Sequence, residues 1–219
     1  RERALAPSRA VADVAQPPVR VTPEARRAIG HGLPALVPLV DRLDGPGAPA
    51  VRARTPGFPS LVRIVVEQAV SQVSADAVWG RLAQPGPPTP ARVEAAGAAG
   101  LRAAGLSMAK ARCLLGLSEA ALSGALDLDA LATEPDAVIR SRLMGFRGIG
   151  RWTADIYLLL ALRRPDVFPA HDLALQEALR SVLRLERRPS AREADRVAEP
   201  IRPHRSVATL ALWDHYLRG

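Results

Sequence analysis

The sequence predicts an all-α protein, and two observations carry that expectation. Apolar residues recur at helical spacing, as at Leu61, Val62, Val65, Val66 and Ala69, and no stretch sustains the alternation of a half-buried strand. Helix-start signals also return along the chain: a Ser or Thr followed by Pro, or by an acidic residue three positions on. About ten helices are expected, and no strand.

Taken in order, residues 1–20 are rich in Ala, Arg and Pro without periodicity and read as an N-terminal arm. Thr22 can cap a helix with Pro23 at its first position, and Pro34 restarts it over 35–43. The Gly/Pro run from Gly45 to Pro49, closing at Pro56-Gly57, is a loop. The helical stripe of 58–69 follows, then a helix from Ser74 to about Ala83. Thr89-Pro90 opens a weak Ala/Gly-rich helix, and Ser107 caps a stronger one over 108–122. Thr133, with Asp136 three positions later, reads as a capping box for a helix ending near Met144. Further helices are expected over 151–163 and 172–185. Ser190 with Glu193 is a second capping box, and Pro203 precedes a last helix to about Leu217.

Composition narrows the function classes. The chain has 219 residues, 48% hydrophobic and 24% charged, and holds no uncharged apolar run of the ~18 residues that a membrane span needs. A single cysteine, Cys113, excludes an internal disulfide and a four-cysteine zinc or iron–sulfur site, and suits a reducing cytoplasm. The net charge of +8 favours a polyanionic partner. Lys110 is the sole lysine among 30 basic residues, so a genome that encodes arginine freely accounts for part of that charge.

The segment Gly145-Phe146-Arg147-Gly148-Ile149-Gly150 lies between two expected helices. Glycines flanking one apolar residue allow a tight hairpin whose amides point out at the start of the next helix, a place that binds phosphate without side-chain charge. This is a helix–hairpin–helix arrangement, which an ordinary glycine-rich corner between helices could also produce. One helix later comes a proline turn, Pro165-Asp166-Val167-Phe168-Pro169, and then Ala170-His171-Asp172-Leu173. Hairpin, helix, proline turn and an aspartate opening another helix together resemble the helix–hairpin–helix superfamily of DNA glycosylases, and within it the AlkA-type 3-methyladenine enzymes. The likeness extends from Phe58 to Trp213. It includes Gln68-Ala69-Val70-Ser71, Gly105-Leu106-Ser107 with Lys110, and Arg205-Ser206 with Trp213.

The resemblance implies a monofunctional hydrolase of base excision repair, acting on alkylated bases flipped from double-stranded DNA. It places catalysis on Asp172, where a fixed carboxylate stabilises an oxocarbenium-like sugar; an aspartate there also caps a helix. It assigns Trp152, Ile156 and Trp213 to the base pocket, where indoles hold an electron-poor purine. Contact with DNA falls to Gly145, Arg147, Gly148, Ile149, Gly150, Arg151, Gln68 and Ala69. Strand-cutting relatives carry a lysine where this chain has Trp152, so lyase chemistry is not expected. No organic cofactor is implied; the family allows a Na+ or K+ ion at hairpin carbonyls near Gly145, Gly148 and Gly150.

Two departures stand out. Ile156 occupies an aromatic position, and the small Ala69 occupies that of a large apolar wedge, a role open to Gln68 or Val70. A wider pocket and a wider range of alkylated bases follow as expectations. Tyr157 and Trp79 read as core, and Asp155 and Asp166 as solvated or structural. The expected organisation is a helical bundle over 58–164 containing the hairpin, and a domain of 21–57 with 165–219 carrying Asp172, with a DNA-binding cleft between them. The protein is expected to be a cytoplasmic monomer, nucleoid-associated if bacterial. A glycosylase for uracil or oxidised bases, or a non-catalytic DNA-binding module, are the other readings.

Overall fold

A computed structural model of the chain describes residues 19–43 and 54–219. The described residues are helical throughout, with no strand: α1 (Pro23–Gly32), a 3-10 turn (Pro34–Leu36), α2 (Val37–Arg42), α3 (Phe58–Glu67), α4 (Gln72–Leu82), α5 (Pro90–Ala103), α6 (Met108–Leu122), α7 (Leu128–Leu131), α8 (Asp136–Met144), α9 (Arg151–Ile156), α10 (Leu173–Val182), α11 (Ala191–Ala198), a 3-10 turn (Glu199–Ile201) and α12 (Arg205–Arg218). Residues 1–18 of the expected arm and most of the loop after Gly45 lie outside the described residues. None of the described helices is long and apolar enough to cross a membrane.

Local chemistry explains most starts. Thr22, Thr89, Ser107 and Ser190 each accept an amide of the first turn, and Ser190 with Glu193 completes a capping box. Other expectations are corrected. Helix α4 begins at Gln72, because Ser71 rather than Ser74 is the cap; its Oγ accepts the Ser74 amide at 3.3 Å. The stripe leaves the helix at Glu67, and Ala69 adopts a left-handed φ of +51°. Thr133 caps nothing: its hydroxyl donates back to Ala130 O at 2.8 Å, and Pro135 stands at the N-cap of α8. Helix α7, capped by Asp127, was not anticipated. The helix expected over 151–163 changes after Ile156 into a π-helical turn over Tyr157–Ala161. Trp79 is half-buried rather than core, with the Arg63 guanidinium 5.4 Å from its ring centroid.

Two compact units emerge, each with its own core. Arg54–Tyr157 forms one, and Leu158–Gly219 joins residues 19–43 in the other. The division falls inside the helical segment after the hairpin, not at 164/165. In the first unit Leu61, Ile64, Leu101, Leu114, Leu117, Ile139 and Leu143 are buried. Tyr157 is buried with them; its hydroxyl accepts the Gly57 amide at 3.2 Å, and burial pushes its pKa up to about 12. In the second, Ile29, Leu36, Val40, Phe168, Leu175, Leu179, Ala208 and Leu212 pack together.

The hairpin glycines are not equivalent. Gly148 has φ +92°, and a Cβ there would lie 2.9 Å from Cys113 Cβ. Gly150 is extended (φ −99°, ψ 179°), and a Cβ there meets nothing within 4 Å. Gly148→Ala is therefore expected to destabilise the fold by about 1–3 kcal/mol in urea unfolding, and Gly150→Ala by less than ~0.5 kcal/mol. Equal losses at both positions would contradict the packing described.

Candidate active site

Asp172 is the N-cap of α10, with its backbone extended (φ −75°, ψ 120°). Its Oδ1 accepts the Leu175 amide at 2.8 Å, and the Trp213 indole Nε1 donates to the same oxygen at 3.3 Å. Both bonds fall on Oδ1, so capping fixes the carboxylate in place and is compatible with a catalytic role.

The backbone leading to Asp172 is fixed from both sides. The Asp172 amide donates to Pro169 O and the Ala170 amide to Phe168 O, both at 2.8 Å. Gln176, one turn into α10, reaches back with Nε2 to Ala170 O at 2.7 Å. From the start of α12, Arg205 grips Asp166 with Nε and Nη2 at 2.7 and 2.9 Å. Ser206 Oγ donates to Arg164 O at 2.6 Å and accepts the Val167 amide at 2.9 Å. Thr209 Oγ1 donates to Val167 O at 3.0 Å. One helix therefore supplies the clamps on the proline turn and, through Trp213, a partner for the carboxylate itself. Asp166 is structural. Gln176 was missed by the sequence reading; a buried polar residue among the apolar positions 175, 178 and 179 was the signal.

In the hairpin unit, the loop after Gly145 closes with the Ile149 amide on Phe146 O at 3.0 Å, and Ile149 is buried beneath it. Gly150 brings no side-chain cap to α9, which leaves the start of that helix open on the Gly150 side. Arg147 and Arg151 are exposed beside it. Arg151 Nε donates to Asp155 Oδ2 at 2.8 Å and Arg140 Nε to Oδ1 at 2.6 Å, so Asp155, only 1% exposed, is a buried structural anion. Trp152 is half-buried and Ile156 is 2% exposed.

Gln68, expected to contact DNA, donates from Nε2 to Gly148 O at 3.0 Å and Thr153 Oγ1 at 2.8 Å, fastening the α3–α4 loop to the hairpin. Lys110 Nζ donates to Val66 O, the end of α3, at 2.8 Å, and burial holds its ammonium below the ordinary lysine range. These bonds bear on the cation expected at the hairpin. The Gly148 carbonyl already takes the Gln68 amide, and the Gly150 carbonyl takes the Ala154 amide at 3.1 Å. Each of these two carbonyl oxygens keeps a second lone pair that a cation could use.

Comparison with known proteins agrees with the fold. The family pattern of the HhH-GPD superfamily base excision DNA repair protein matches residues 62–203. The chain is 30% identical over 164 residues to DNA-3-methyladenine glycosylase 1 of Schizosaccharomyces pombe, covering 71% of each protein. It is 32% identical over 183 residues to DNA-3-methyladenine glycosylase 2 of Escherichia coli, covering 76% of this chain and 62% of that one. The fold matches that of the S. pombe 3-methyladenine DNA glycosylase solved in complex with abasic DNA, with a TM-score of 0.78 and 27% identity over 87% of this chain and 95% of that chain.

Ser206→Ala removes the donor to Arg164 O and strands the Val167 amide, which is buried. A loss of about 1–3 kcal/mol in denaturant unfolding is expected. An unchanged midpoint would mean that the Ser206 hydroxyl does not hold the turn.

Proposed function

The chain belongs to the HhH-GPD superfamily of base excision DNA repair proteins, and from that premise we propose that it is a monofunctional DNA glycosylase that hydrolyses the N-glycosidic bond of alkylated bases, 3-methyladenine among them. The observation that carries the reading is Asp172 Oδ1 held between a helix amide and the Trp213 indole. A carboxylate fixed before the reaction starts costs no reorganisation when charge develops.

In the proposed reaction the C1′–N bond breaks with its electron pair going to the base, and positive charge spreads over C1′ and O4′. Asp172 stabilises that charge; water then adds at C1′ and gives up a proton, for which the carboxylate is the acceptor. A base made cationic by alkylation leaves neutral and needs no acid. A single carboxylate is therefore sufficient for this substrate class, whereas a neutral lesion such as uracil asks for further hydrogen bonds to the departing base. Trp152 and Trp213 supply aromatic surface that favours an electron-poor purine. Ala69, smaller than the group that the family resemblance leads one to expect, supports a range of alkylated bases wider than 3-methyladenine, whereas Ile156, 2% exposed, is packed in the interior. The exposed Arg147 and Arg151 beside the hairpin suit a DNA backbone.

The absence of strand cleavage is also a proposal, supported by two observations. The second residue after Gly150 is a tryptophan, and the sole lysine has its Nζ on the Val66 carbonyl. Schiff-base chemistry requires an uncommitted amine at the sugar.

Asp172→Asn preserves a good capping residue, so the fold and DNA affinity are expected to persist. Single-turnover excision should slow about a hundredfold or more, the equivalent of at least ~3 kcal/mol of transition-state stabilisation; a rate near that of wild type would remove Asp172 from the chemistry. With borohydride present during turnover, no covalent protein–DNA complex is expected, and product strands should break only on alkali treatment. A trapped adduct would establish a lyase step.

A further inference from the structure

Asp172 is bracketed by a single residue. Gln176, one turn into α10, donates its backbone amide to Asp172 O at 3.0 Å, the first hydrogen bond of that helix. Its side chain reaches back, and Nε2 donates to Ala170 O at 2.7 Å. That oxygen belongs to the peptide unit joining Ala170 to His171, so the bond fixes the backbone immediately ahead of the carboxylate. One peptide earlier, the Pro169 carbonyl takes the Asp172 amide itself at 2.8 Å.

Glutamine is an expensive choice for this place. It is 6% exposed and lies on α10 among the buried Leu175, Ala178 and Leu179. A leucine or methionine would suit such a position better, since a buried amide loses its water and recovers that loss only through hydrogen bonds. What the glutamine adds is the bond to Ala170. The other ties on the proline turn act further upstream: Arg205 on Asp166, Ser206 on Arg164 and Val167, and Thr209 on Val167. None of these reaches the Ala170–His171 peptide, and His171 itself is exposed.

We infer that Gln176 is a positioning residue for the proposed bond cleavage, acting through the Ala170–His171 peptide on the place of the Asp172 carboxylate. The Leu175 amide and the Trp213 indole orient the carboxylate on its own side-chain torsions. The Gln176 bond sets the backbone from which that side chain projects. Resting on the glycosylase reading, this role predicts an effect on the chemical step and none on the grip on DNA. Displacement of a reacting group by about 1 Å is enough to lower a rate roughly a hundredfold.

The test uses Gln176→Met and Gln176→Leu, which fill the space and favour a helix but supply no donor. Leu179→Ala serves beside them as a core deletion in the same helix that leaves the Ala170 bond in place. With protein in excess over methylated duplex, release of methylated bases per folded molecule should slow about tenfold or more in both Gln176 variants. Their affinity for a duplex carrying a tetrahydrofuran analogue of an abasic site should stay within about twofold of wild type, because phosphate contacts dominate it. Leu179→Ala should melt at a lower temperature and, below it, keep the wild-type rate. Folded Gln176 variants that cleave at the wild-type rate overturn the inference. So does an equal slowing in Leu179→Ala, which reduces the effect to a loosened helix, or a loss confined to DNA affinity. Failure of the underlying reading looks different: the wild-type protein itself then releases no methylated base.

Discussion

Everything proposed for this protein depends on one carboxylate oxygen having a fixed position. Asp172 Oδ1 is shared by the Leu175 amide and the Trp213 indole, the first belonging to the helix that Asp172 opens and the second to the last helix of the chain. A capping aspartate alone would be held by local geometry. The second donor makes its position a property of the tertiary structure, because Trp213 is in place only if α12 is. The same helix clamps the turn before Asp172 through Arg205, Ser206 and Thr209. Residues with no part in the proposed reaction thus fix the position of the carboxylate.

The hairpin unit follows a similar plan with different chemistry. Its backbone is shaped by what lies beneath it: Cys113 leaves no room for a side chain at Gly148, and Gln68 takes the Gly148 carbonyl. The lone cysteine is therefore a packing residue, and burial pushes its thiol up to about 11, which keeps it protonated and unreactive at neutral pH. The buried Asp155 fixes Arg140 and Arg151, spending an anion inside the unit to order cations beside the hairpin. Gly150 has no such packing demand: a Cβ there meets nothing within 4 Å.

Much of this was legible in the sequence, and what was legible was local. Thr22, Ser107 and Ser190 cap the helices that their own residue types announce, and the hairpin and Asp172 stand where the motif spacing sets them. The errors have physical causes. Thr133 and Asp136 look like a capping box, but Pro135 lies between them and takes the N-cap itself. Ser74 was the expected start, but Ser71 lies three positions earlier and its hydroxyl accepts the Ser74 amide. From Tyr157 to Ala161 every side chain is buried, which erases the one-sided period that would have exposed the change of helical pitch. The Gln68 bond to Gly148 spans 80 positions of sequence, and no short-range pattern encodes it. Its partners within the protein are visible only in three dimensions.

The central claim is that a prepositioned carboxylate severs the bond between an alkylated base and its sugar. Chromatography of the bases released when the purified protein is incubated with dimethyl-sulfate-treated DNA tests it most directly. The account predicts free 3-methyladenine, accompanied by abasic sites in strands that remain intact. Methylated DNA returned with all its modified bases, by a protein that nonetheless binds the duplex, would contradict it.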